Sequence, residues 1–265
     1  MWNIKNKLKK ILNYSSSLNN EIKKKLDETI SYKLNKIFSD DSNINNNEVE
    51  IFKKLILELI GTSPIEGLKI LDSLKKTSIL EGDVCEFGVA QGKTSKLIAS
   101  FLKNKDKKLY LFDSFSGLPI PSKEDQLKDD IFNLKDIKKY AGKMSHPVEK
   151  VINELKDINF LEKNIVINKG YFNQKSLKGM KIPEKISFAY LDFDFYEPTY
   201  DALNFMDKYL SPNGIIIVDD YDFFSTGVKT AVDKWINEKK EKYSIKKIKT
   251  NLASFVIITN TKKHV

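Results

Sequence analysis

Four aspartates carry the densest potential chemistry in this chain of 265 residues. Asp192 and Asp194 lie in Leu191-Asp192-Phe193-Asp194-Phe195-Tyr196-Glu197, just after a short apolar run. Asp219 and Asp220 follow the wholly apolar Ile215-Ile216-Ile217-Val218. If the two runs are neighbouring parallel strands, these carboxylates meet at one rim of a sheet. Three carboxylates converging there repel one another unless a cation is present. Oxygen donors favour Mg²⁺, Mn²⁺ or Ca²⁺ over zinc. One cysteine and two histidines are too few for a typical zinc site. The plain alternative is strand-end carboxylates that cap helices or face water.

A second concentration lies in Glu86-Phe87-Gly88-Val89-Ala90-Gln91-Gly92-Lys93-Thr94-Ser95. Two glycines in a strand-to-helix turn let backbone approach a ligand, and the helix beyond offers free N–H groups to an anion. Gly92-Lys93-Thr94 has the ending of a nucleotide phosphate loop, but that loop needs four residues between its glycines. Here there are only Val89, Ala90 and Gln91. The dinucleotide fingerprint Gly-x-Gly-x-x-Gly is absent. The acid-x-Gly-x-x-x-Gly loop of class I methyltransferases fits Glu86, Gly88 and Gly92 without a gap. Further along, Asp113-Ser114-Phe115 follows another short strand, where an acid can accept hydrogen bonds from ribose hydroxyls. Together these segments suit S-adenosylmethionine (SAM). Tyr171 or Phe172, after a third strand, could border the same pocket or belong to the core. His146 is a candidate general base, with Asp194 and Asp222 as alternatives. His264, near the C-terminus, is given no role.

Positioning these residues requires short strands alternating with helices. Expected strands are 84–87, 109–112, 165–167, 186–191 and 215–218, with two more at 243–248 and 254–259. Helices are expected at 93–102, 147–156, 200–210 and 227–238. Such alternation predicts an open, mostly parallel sheet covered by helices, with ligands beyond the C-terminal strand ends. Residues 120–160 are polar and read as an insertion or lid. Residues 49–79 read as two helices. The second opens with Ser63 as N-cap, Pro64 in first position and Glu66 as capping-box partner. Residues 1–48 read as an N-terminal helical extension to a domain spanning 49–265, closed by a loop over 40–47. In the extension, Trp2, Ile4, Leu8, Ile11 and Leu12 fall on one helical face. That face suits packing on protein, a homodimer partner included, better than contact of residues 1–14 with a membrane surface.

The net charge is +9, and all 45 basic residues counted in it are lysine. Without arginine, the usual reader of guanine and clamp of phosphate, a nucleic-acid partner is not expected. No apolar stretch is long enough to span a membrane, no signal peptide is legible, and one cysteine excludes an internal disulfide. A cytoplasmic location is therefore expected.

Taken in order, Glu86-Phe87-Gly88-Val89, Asp113-Ser114-Phe115-Ser116-Gly117-Leu118-Pro119, Leu191-Asp192-Phe193-Asp194-Phe195-Tyr196-Glu197-Pro198-Thr199 and Val218-Asp219-Asp220-Tyr221 resemble the macrocin and mycinamicin sugar O-methyltransferase family over roughly residues 50–260. The resemblance implies a Rossmann-like class I methyltransferase fold, α/β. Its sheet has seven strands, mostly parallel with an antiparallel last strand, and helices on both faces. It implies Mg²⁺, or Mn²⁺ or another divalent cation, held by Asp192, Asp219 and Asp220. It also implies SAM held around Glu86, Phe87, Gly88, Val89, Gly92, Thr94 and Ser95, and around Asp113, Ser114 and Phe115, with Tyr171 beside it. The expected reaction is methylation of a sugar hydroxyl on a small molecule, either nucleotide-linked or a glycosylated product. Asp192 and His146 are the expected catalytic residues. Phe193 stands where the family commonly has glycine, and Pro198 where it has serine. A catechol or phenol O-methyltransferase and, less favoured, a phosphate-loop kinase or NTPase are the alternatives.

Overall fold

The computed structural model describes residues 20–261 apart from 43, 161 and 252. The apolar face expected over residues 2–12 and His264 lie outside them. The alternation becomes one sheet of seven strands in the order β3-β2-β1-β4-β5-β7-β6. The strands are β1 (Asp83–Phe87), β2 (Leu109–Asp113), β3 (Ile165–Lys169), β4 (Ile186–Leu191), β5 (Leu210–Val218), β6 (Tyr243–Lys249) and β7 (Ser254–Asn260). The pairs from β3 through β5 are parallel. β7 runs antiparallel to both β5 and β6, so the last strand is the reversed one, as the resemblance implies. The chain winds outward from β1 to β3 and then returns to place β4 on the other side of β1. This reversal opens a crevice at the C-terminal ends of β1 and β4.

Both faces of the sheet are covered. On one lie α1 (Asn20–Phe38), α2 (Asn46–Leu57), α3 (Pro64–Thr77), α4 (Lys93–Leu102) and α5 (Val148–Asp157). Their Ile30, Phe52, Ile70, Leu97 and Val151 share a core with Val84, Leu111 and Ile217. On the other face lie α6 (Tyr196–Tyr209) and α7 (Gly227–Glu238), where Phe205 and Trp235 pack on Cys85, Phe87 and Ile216. Burial on both sides explains the unbroken apolarity of the central strands.

Three details go beyond the sequence expectation. Ile30, Leu34 and Phe38 recur every fourth residue on α1 and are buried in the same core as α2 and α4, so residues 20–38 pack as part of the main body. The asparagine-rich loop ends in a helix cap. Asn45 accepts hydrogen bonds from the N–H groups of Asn47 and Glu48 at 2.9 and 3.1 Å, and Glu48 accepts from Asn45 N–H at 2.8 Å. At Ser63 only half of a capping box forms. Ser63 Oγ accepts from Glu66 N–H at 3.2 Å, but the Glu66 side chain turns into the protein, 1% exposed.

Ile131 and Tyr140 of the 120–160 segment form a small separate core with Leu118, Phe195 and Phe224, while α5 packs in the main core through Val151 and Leu155. Asp130 organises the small core by accepting from the Tyr140 hydroxyl and from Leu134 and Lys135 N–H. A bridge between Leu127 and Ser225 ties the segment to the loop after β5. The segment is thus packed over the crevice.

Candidate active site

Backbone hydrogen bonds hold the strand ends level. Gly88 N–H donates to Phe112 O at 2.9 Å, Asp192 N–H to Phe87 O at 2.7 Å, and Asp219 N–H to Leu191 O at 2.9 Å. The ladder continues past the last strand residues, so the turn after each strand begins at the same rim. Gly88 has φ +83°, a region that favours glycine. Asp194, Asp220 and Asp222 also have positive φ, at 63°, 51° and 61°. Aspartate tolerates this conformation better than most residues, and such outliers cluster at working sites.

Over this rim lies a cavity of about 580 Å³. Its lining includes Gly61, Gly88, Gln91, Asp113 and Ser114, the apolar Leu118, Ile131, Phe132 and Phe223, and the four aspartates Asp192, Asp194, Asp219 and Asp220. No lysine among the described residues lines it. His146 and Tyr171 border it as well. Tyr171 is exposed, and Phe172 is buried edge-on against the stacked pair Phe87 and Phe112; both residues line the cavity.

Several residues expected at the cofactor stand behind the loop. Glu86 is fully buried and accepts from Ser95 Oγ at 2.5 Å. Burial is the main cause that lifts its carboxyl to about 8; the Ser95 bond opposes this and Asp113 adds to it. Phe87 stacks on Phe112, and the Val89 side chain is core. Thr94 bonds to Thr62 at 3.2 Å, and Gly92 caps α4 with φ +79° against Val151. Phe115 is buried, with its N–H given to Asp113 at 2.6 Å. None of these side chains lines the cavity. They fix the loop's shape, while backbone and Gly88 meet the space. Asp113 is the link. Its carboxylate accepts from Val89 and Ala90 N–H at 2.7 and 3.0 Å, tying the β2 end to the glycine turn.

Three of the four aspartates expected at this rim lie close together. One carboxylate oxygen each from Asp192, Asp194 and Asp220 lies within 4.8 Å of the others. Asp219 stands beside this ring, 7% exposed. It accepts from the Tyr190 hydroxyl at 3.0 Å and from Asp220 N–H at 2.7 Å. Burial, then Asp219, Asp194 and Asp220, push the Asp192 carboxyl well above the ordinary range. The donor set suits a hard divalent cation, which would relieve this mutual repulsion. Cys85 is buried within β1 and offers no soft ligand.

Sequence reasoning missed Glu66. Burial, followed by the neighbouring Asp219 and Asp192, raises its carboxyl well above the usual range. A signal existed. Glu66 shares the inward stripe of α3 with Ile70, Ser73 and Thr77, where a charged residue needs a reason.

The model of the macrocin O-methyltransferase family (TylF) matches residues 23–255. The chain belongs to that family. A tetracenomycin-type rhamnoside 4'-O-methyltransferase of Streptomyces olivaceus is 29% identical over 164 residues, covering 58% of this chain and 61% of the relative. The match thus spans less than two thirds of that relative's length. The solved structure of the O-methyltransferase NovP superposes with a TM-score of 0.61 at 20% identity, over 76% of this chain and 82% of that one. The calicheamicin methyltransferase CalS11 gives 0.57 at 17% identity, over 86% and 91%. At such identities these likenesses speak for the fold, which is that of class I methyltransferases.

Other expectations meet specific contacts. Lys93, which a phosphate-loop enzyme would need on its ligand, is paired with Glu154 at 2.6 Å. Asp222 is held by Lys128 and Lys249 and is not on the cavity wall; the Lys128 bond above all brings it down to about 2. No described helix is long and apolar enough to cross a membrane.

Proposed function

We propose that this protein is a SAM-dependent O-methyltransferase that methylates a hydroxyl of a sugar unit on an uncharged small-molecule product, assisted by a divalent cation. The observation that carries the reading is the carboxylate ring of Asp192, Asp194 and Asp220 in the same cavity as the Gly88 turn. Family membership and a relative named for methylating a rhamnosyl group support the sugar acceptor. A wall rich in carboxylates and free of lysine among the described residues favours a neutral glycoside over a nucleotide-linked sugar, whose phosphates it would repel.

SAM supplies the methyl group as a sulfonium. Its nucleoside would lie towards Asp113 and Ser114, with Gly61, Gly88 and Gln91 along its length. Asp192 and Asp220 of the ring, with Asp219 beside it as the family resemblance implies, would hold the cation, which when bound supplies Lewis-acid help in acidifying the acceptor hydroxyl. Leu118, Ile131, Phe132 and Phe223 offer an apolar wall that orients the acceptor and excludes water. Asp194 shares the acidic ring without being in the assigned cation set, so its carboxylate is the group we assign to take the hydroxyl proton. His146 is the second reading for that role. It borders the cavity, and burial together with Lys150 holds its ring below the ordinary value, hence neutral at pH 7.

The test is methyl transfer from labelled SAM to a panel of neutral glycosides, nucleotide sugars and a plain catechol, with and without EDTA. Turnover of neutral glycosides that stops on chelation is expected. Turnover of catechol alone would replace the sugar reading, and full activity in EDTA would remove the cation.

A further inference from the structure

The turn that carries Asp194 is held by two side chains from other segments. Phe195 stands at the N-cap of α6 and gives that helix no side-chain cap. The cap comes instead from Asp125, 71 positions before Tyr196 in the chain. Asp125 Oδ1 accepts from Tyr196 N–H at 2.8 Å. Its Oδ2 accepts from Ser122 N–H at 2.7 Å and from Ser122 Oγ at 2.8 Å. At 4% exposed, Asp125 is the most buried aspartate on the cavity wall. A carboxylate so placed satisfies an unpaired helix N–H and meets the positive end of the helix dipole. Gly227, the first residue of α7, leaves room for it: a β-carbon there would lie 1.8 Å from Asp125 Oδ1.

The second side chain is Ser225, fully buried. Its Oγ donates to the backbone oxygen of Asp194 at 2.8 Å and accepts from Gly227 N–H at 3.1 Å. Ser225 thus holds the Asp194 carbonyl, and Asp125 holds the N–H two residues on. Between them Asp194 keeps its left-handed φ of 63°. Residues other than glycine stay in that region only where the surroundings fix them.

We propose that Asp125 and Ser225 are positioning residues that hold the Asp194 turn, so that its carboxylate stays in the acidic ring within reach of the acceptor hydroxyl. The inference rests on the role given to Asp194 above. Misplacing a reacting group by about 1 Å can cost about 10²-fold in rate. Asp125 belongs to the same segment as Ile131 and Phe132 of the apolar wall, so one side chain ties that wall to the turn. Thr226 provides a contrast. Its Oγ1 donates to Glu124 O at 2.6 Å and accepts from Gln126 N–H at 2.9 Å. Those bonds hold the segment without engaging the Asp194 turn.

The experiment compares the purified full chain with Asp125→Ala, Asp125→Asn, Ser225→Ala and Thr226→Val. One readout is methyl transfer from labelled SAM to the neutral glycoside that the wild type turns over fastest in the panel above. The other is hydrogen–deuterium exchange of the backbone amides of residues 193–199, with melting temperature as a check on folding. Asp125→Ala and Ser225→Ala should lower kcat by about tenfold or more at unchanged KM for SAM, and exchange at 193–199 should quicken. Asp125→Asn keeps an acceptor for Tyr196 N–H and should regain most of the lost kcat, because asparagine caps helices about as well as aspartate. Thr226→Val should raise KM for the glycoside and leave kcat within about threefold. Unchanged kcat and exchange in Asp125→Ala and Ser225→Ala overturn the assignment. So does an equal kcat loss in Thr226→Val, which would make the whole segment and not these two contacts decisive. If the wild type methylates none of the glycosides, the role of Asp194 falls and takes this assignment with it. Ser225→Ala keeps the comparison decisive if Asp125→Ala fails to fold.

Discussion

The backbone oxygen of Asp192 lies 1.9 Å from the point where a β-carbon on Gly88 would sit. The glycine turn and the first acidic residue are therefore in direct contact, and each dictates the other's place. Gly88→Ala would meet this oxygen and also a left-handed φ. The φ alone costs about 1–3 kcal/mol, and the collision must move one strand end. A melting temperature lower by about 5 °C or more is expected, together with weakened binding of demethylated SAM by calorimetry. A Gly88→Ala protein with wild-type stability and affinity would contradict the contact.

The acidic ring makes separable predictions. Asp192→Ala and Asp220→Ala should lose cation binding and nearly all methyl transfer. Asp194→Asn should lower kcat by about 10²–10⁴ if it takes the proton, while leaving Mn²⁺ affinity less affected than Asp192→Ala does. Asp222→Asn, at a carboxylate already held by lysines, should retain activity within a few-fold. A large kcat loss in His146→Gln with little in Asp194→Asn would transfer the base role to His146.

Glu86 predicts a pH dependence of stability. Its carboxyl is raised from the ordinary 4.5 to about 8, chiefly by burial. The folded protein therefore holds this proton more tightly than the unfolded chain does. The stabilisation is fully present below about 4.5 and is lost as the pH rises towards 8. Melting curves of wild type and Glu86→Gln across this window should diverge. The wild type should decline more steeply, and parallel curves would contradict the assignment.

The segment over the cavity depends on one buried tyrosine. Tyr140 donates to Asp130 at 2.7 Å and accepts from Phe132 N–H at 2.9 Å, beside Ile131 and Phe132 on the cavity wall. Tyr140→Phe removes both bonds at a cost of about 1–3 kcal/mol. The expected kinetic result is a raised KM for the acceptor with unchanged affinity for demethylated SAM. Loss of both affinities equally would show that this segment serves the whole fold and not the acceptor alone.

The sequence by itself determined what is local or periodic. Unbroken apolar runs marked the buried strands, because a strand covered on both faces has no polar side. The glycine spacing after β1 spoke against a phosphate loop, and the aspartates after β4 and β5 had to share a rim once those strands were parallel neighbours. Chain order also carried the family resemblance, although the family match begins at residue 23, before the segment where the resemblance was legible. Tertiary structure alone decided which side chains meet. Asp194 joins Asp192 and Asp220 because it adopts a left-handed turn, which sequence spacing does not encode. Glu66 looked like a helix cap because its three-residue offset from Ser63 is the local signal. Its nearness to Asp219, far along the chain, exists only once α3 lies against the ends of β4 and β5. Glu86, Thr94 and Ser95 lie beside the glycine turn in sequence, but only the fold shows that Glu86 meets Ser95 and Thr94 meets Thr62.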